Sequence, residues 1–78
     1  MNYSKREIHN GTQYTVTAEV IAVGLIRAQV FYKDVDYPVK CIEYQNNNLV
    51  TCAKAVWIEY QNQIKKAINA HNFKALNG

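Results

Sequence analysis

Residues Leu49, Ala53, Val56, Tyr60, Ile64, Ala67 and His71 recur at steps of four, three, four, four, three and four, and Trp57 and Ile68 widen the same stripe. That spacing gathers side chains on one side of a 3.6-residue helix and has no counterpart in strand alternation. Lys54, Glu59, Asn62, Lys65, Lys66 and Asn69 fall on the other side and suit water. The pattern predicts one long amphipathic helix over 48–72. A fraying tail over 73–78 follows, with Phe73 and Leu76 as its anchors. Asn48 is the expected N-cap. Thr51 is the rival, and with it Leu49 and Val50 would form a short fourth strand.

Over 13–44 the period is two. Tyr14, Val16, Ala18, Val20 and Ala22 alternate with Thr15, Thr17, Glu19 and Ile21, and the alternation resumes at Ile26, Ala28, Val30 and Tyr32. β-branched and aromatic residues dominate, so strands are expected. A three-residue loop Val23–Gly24–Leu25 would pair Val20 with Ala28, Ala18 with Val30 and Val16 with Tyr32, apolar with apolar. One long strand bent at Gly24 is the alternative. A two-residue loop at Val35–Asp36 would then pair Tyr32 with Val39 and Val30 with Cys41, and Pro38 suggests that this third strand is an edge. The expected inner face is Val16, Val20, Val30, Tyr32, Val39 and Cys41.

Ser4-Lys5-Arg6-Glu7 has the form of a capping box, with Tyr3 and Ile8 at staple positions and Gly11 placed to close a short helix. The competing reading makes Asn10–Gly11 a type I′ hairpin turn, pairing Ile8 with Gln13 and Glu7 with Tyr14. That mixes polar with apolar on each face, and the helix is preferred. The expected fold is an α+β two-layer sandwich: a short N-terminal helix within 1–12, three antiparallel strands (a fourth under the rival cap), and a long C-terminal helix on one sheet face.

Size bounds what this fold can do. Seventy-eight residues make one small domain, which buries only about 60% of its unfolded surface, so dimerisation is open to it. Six Tyr, two Phe and one Trp exceed what so small a core needs; some are expected on a binding surface or ringing the core with hydroxyls in water. The net charge of +3 comes from nine Lys and Arg spread along the chain, compatible with an acidic partner without implying one. No stretch approaches the ~18 apolar residues that span a bilayer. Cys41 and Cys52 read as reduced, buried thiols of a cytoplasmic protein, host-cell cytoplasm if the chain is phage-encoded; a bridge between them is the alternative.

Catalytic chemistry finds little support. His9 and His71 stand in no ligand-like spacing with the cysteines, and C-x-x-C, H-x-x-x-H, phosphate-loop and G-x-S-x-G patterns are missing. Asp34 and Asp36 bracket a turn, the common place for Asp. The expectation is a non-enzymatic protein without metal or cofactor.

Binding is better supported. With the helix on one face, the other is expected to carry Thr15, Thr17, Glu19, Ile21, Arg27, Gln29, Phe31, Lys33, Lys40, Ile42 and Tyr44, a half-apolar, basic patch of the kind that marks an interface. Arg27, Phe31, Lys33, Lys40, Ile42 and Tyr44 are the expected partner-binding residues, with Lys65 and Lys66 a second basic spot. The first reading of the partner is a larger protein or ribonucleoprotein, the chain occluding it much as small phage inhibitors such as anti-CRISPR proteins do. Nucleic acid, stacked on Phe31 and Tyr44, is the second, and a sheet-to-sheet homodimer the third. The helix–three-strand–helix order resembles the double-stranded RNA-binding domain in topology; of the basic cluster opening that family's second helix, only Lys54 in Thr51-Cys52-Ala53-Lys54 is present.

Overall fold

A computed structural model describes residues 2–45 and 47–77, with side chains described through residue 68. Four antiparallel strands, β1 (Asn2–His9), β2 (Thr12–Ala22), β3 (Leu25–Tyr32) and β4 (Lys40–Gln45), form a meander in the order β1-β2-β3-β4. The helix α1 (Leu49–Asn77) follows. Its backbone runs past the expected end at 72. His71, Phe73 and Leu76 lie outside the described side chains.

The N-terminal segment is a strand, which corrects both the expected short helix and the three-stranded sheet. Asn10 and Gly11 have φ of 51° and 77°, the two left-handed residues a type I′ turn requires. β1 then pairs with β2 from Asn2↔Glu19 to His9↔Thr12, whereas a one- or two-turn helix is marginal in water. Ile8 does face Gln13 and Glu7 does face Tyr14. The mixing is tolerated because β1 is an edge strand with polar residues on both faces. The helix–strand–helix order behind the likeness to the double-stranded RNA-binding domain is gone with the N-terminal helix.

The β2–β3 loop has two residues, Val23 and Gly24, with Gly24 at φ 71°. Such a loop alone would set apolar against polar. A bulge between Val20 and Ala22 restores parity, so that Val20 faces Ile26, Ala18 faces Ala28, Val16 faces Val30 and Tyr14 faces Tyr32. The pairing sits two residues from the expected register and keeps Tyr14 to Val20 and Ile26 to Tyr32 on their expected sides; past the bulge Ala22 pairs with Leu25 and leaves the inner alternation it was expected to continue.

The β3–β4 connection is longer than the expected two-residue turn. It runs through Asp34 in the left-handed region (φ 56°), and the Val39 amide donates to the Val30 carbonyl at 2.8 Å. The register is Val30↔Lys40, Ala28↔Ile42 and Ile26↔Tyr44, one residue from expectation, and a one-residue slip turns the whole strand over. Ile42 and Tyr44 therefore pack against the core, while Cys41 is exposed. Burying Ile and Tyr removes more apolar surface from water than burying Val and Cys, and Val39 reaches the core as well.

Tyr14, Val16, Ala18, Ile26, Ala28 and Val30 of the sheet meet Cys52, Ala53, Val56 and Trp57 of the helix, all buried. Val20 and Tyr32, expected inside, are 46% and 44% exposed. They lie on the helix side but towards the ends of the paired region. Asn48 caps the helix: its Oδ1 accepts from the Thr51 amide at 2.8 Å and its carbonyl from the Cys52 amide at 3.0 Å. Leu49 and Val50 belong to the helix, not to a strand.

Candidate binding surface

Alternation along the strands builds two unlike faces. The helix-side face ends in an aromatic cluster. The Tyr14 ring lies 5.3 Å from Trp57, 5.4 Å from Tyr60 and 5.7 Å from Tyr32, and His9 meets Trp57 edge-on at 6.3 Å. Burial and a hydrogen bond with Tyr14 push the Tyr60 hydroxyl up to about 12. Burial, then the Glu59 carboxylate, raises Tyr44, and burial raises the Cys52 thiol. These groups keep their protons at neutral pH.

The opposite face is not covered by the helix. Pairing across the four strands sets its residues in rows: Arg6–Thr15–Phe31, then Ser4–Thr17–Gln29–Cys41, then Asn2–Glu19–Arg27–Glu43. In the last row charge alternates, and Arg27 Nη2 lies 3.5 Å from Glu43 Oε2. The middle row is polar and uncharged apart from the Cys41 thiol. Beyond Arg6, a shallow hollow of about 160 Å³ is lined by Arg6, Gln13, Tyr14, Thr15, Lys33 and Asp34. Arg6 and Lys33 make no ion pair among the described residues. The face thus grades from balanced charge at one end to apolar and cationic at the other, where Ile8 is 71% exposed.

The eight expected site residues divide three ways. Arg27, Phe31 and Lys33 stand on the open face. Lys40, Ile42 and Tyr44 do not: the slip in β4 turns them to the helix side, where Lys40 Nζ donates to Gln63 Oε1 at 3.0 Å. Lys65 and Lys66 are exposed on the helix, away from the sheet face. Ser4, Arg6 and Ile8 are the residues that sequence reasoning missed, because it made their segment a helix. The Asn10–Gly11 pair was the signal that could have found them. Among the described residues, no three of His, Cys, Asp and Glu converge, and no helix is long and apolar enough to cross a membrane.

No protein-family model, curated protein or solved structure matches this chain.

Proposed function

We propose that the chain is a non-catalytic binding protein that docks on a larger protein through its uncovered sheet face. The observation that carries this reading is the make-up of that face: Phe31 in one row with Arg6 and two residues from Lys33, and the mixed-charge row Glu19–Arg27–Glu43 across a polar row from it. Interfaces concentrate binding energy on aromatic and Arg anchors and draw specificity from charges of both signs. Nucleic acid takes second place, because it asks for excess cations and stacking rings. Here Arg27 is matched by Glu43, and Phe31 is the one aromatic ring in the three rows. Docking without chemistry acts by covering or reshaping a partner's surface, the mode of an inhibitor or an adaptor.

A photo-crosslinking residue at Thr17, in the centre of the face, and another at Asn62, on the outer side of the helix, test this in the cells that make the protein. Discrete protein adducts are expected from position 17 and not from 62, lost when Phe31→Ala and Arg6→Glu are combined. Absence of adducts from 17, or equal adducts from both positions, sinks the reading. Tight oligonucleotide binding that weakens steeply with salt would put nucleic acid first.

A further inference from the structure

The cationic end of the open face has an internal order. Arg6 and Ile8 stand there on β1, with Thr15 and Gln13 beside them on β2. Phe31 pairs with Thr15 from β3, and Lys33 lies two residues further on. Cations and apolar side chains therefore occupy opposite diagonals: Arg6 and Lys33 on one, Ile8 and Phe31 on the other, with uncharged Thr15 and Gln13 between. Two strands across and two residues along, the Cα atoms of Arg6 and Lys33 stand about 12 Å apart at strand spacing. Side chains as long as these can bring both charges to the middle, where the hollow of about 160 Å³ lies.

The lining of that hollow selects what it can hold. The Thr15 hydroxyl and the Gln13 amide add neutral donors to the two cations. Asp34 is the one carboxylate, and it forms no ion pair with either cation among the described residues. Two cations and one carboxylate leave the hollow one net positive charge. A ligand group with a single negative charge matches it, whereas a second charge would meet Asp34. A carboxylate fits that condition; a phosphate monoester, close to doubly charged at neutral pH, does not. A phosphodiester chain carries its charges in series, and Glu19 and Glu43 stand on the same face. The flat guanidinium of Arg6 also suits a carboxylate. On the other diagonal, Ile8 is 71% exposed and Phe31 half-buried, apolar surface beside the charge.

We propose that the hollow binds the side-chain carboxylate of an Asp or Glu on the partner protein, held between Arg6 and Lys33, with an adjacent apolar residue of the partner resting on Ile8 or Phe31. The inference deepens the proposed docking function and rests on it. It makes the partner's contact segment an acidic peptide with apolar residues next to the acid.

Random peptides displayed on phage and selected on the full chain test it. Asp or Glu should be enriched beside large apolar residues. In a selected peptide, changing that acid to its amide should weaken binding by about tenfold. The same change should matter little to Arg6→Gln combined with Lys33→Gln, because both alterations remove one contact. Lys65→Gln with Lys66→Gln takes two charges from elsewhere and should leave the tenfold effect whole. All four positions are exposed, and unchanged Trp57 fluorescence checks that the variants fold. Peptides without acid bias, or no peptides at all, overturn the proposal, as does an acid effect indifferent to Arg6 and Lys33. A phosphoserine peptide that binds more tightly than its acidic counterpart overturns the choice of a carboxylate. The docking reading fails separately, through loss of adducts from position 17. Acid-free peptides alongside such adducts would sink this inference and spare that reading.

Discussion

At the scale of single residues, Trp57 joins the layers: it is 8% exposed and touches Tyr14, Tyr60 and His9. Removing a buried indole leaves a cavity the surroundings fill only partly, so Trp57→Ala should cost about 3–5 kcal/mol. Marginal domains hold roughly 5 kcal/mol in total, and urea titration followed by circular dichroism should show the variant largely unfolded. The phenols beside it set an alkaline limit. Tyr60 holds its proton to about 12 in the native state, against 10.0 for an ordinary tyrosine. Above pH 10 the unfolded chain gives up that proton while the native chain keeps it. Stability is therefore flat below this window and falls from pH 10 towards 12. Tyr44 and Cys52 act in the same direction. In Tyr60→Phe, denaturation measured across this window should show a shallower fall.

At the scale of elements, turns decided what periodicity left open. The 3.6-residue stripe of α1 was legible because a long run of apolar positions agrees with one period and one cap. β1 was not legible: its helix-side residues Tyr3, Lys5, Glu7 and His9 are mostly polar, and Lys5 pairs with Glu7 at 3.2 Å. A capping-box pattern in four residues then outweighed a turn signal in two. Gly11 carries that turn, at φ 77° with open space where a Cβ would stand. Gly11→Ala should thus cost about 1 kcal/mol through backbone strain alone, without a clash, measurable as a lower urea midpoint at unchanged slope. β4 was misread for a different reason. Both of its parities offer apolar residues, Val39 and Cys41 or Ile42 and Tyr44, so only the length of the connection could choose.

At the scale of the whole molecule, a compact sheet end is joined to a projecting helix. Among the described residues, the buried apolar side chains lie in the sheet and in the helix between Cys52 and Trp57. The candidate docking face was half legible for the same topological reason that misplaced β4. Arg27, Phe31 and Lys33 sit on β3 or just beyond it, and β3's parity is locked by its buried alternation with β2. Lys40, Ile42 and Tyr44 sit on a strand whose parity is set by a loop.

The sequence by itself determined that strands precede one long C-terminal helix, which side of β2 and β3 faces that helix, and that Asn48 begins it. Each is written in local period or local capping chemistry, which needs no distant partner. The tertiary structure alone decided that the N-terminal segment is a strand, that β4 turns Tyr44 inward, and that the helix backbone runs on to Asn77. Those outcomes depend on which segments meet across the chain, and the free energy of that meeting is not encoded in any one of them.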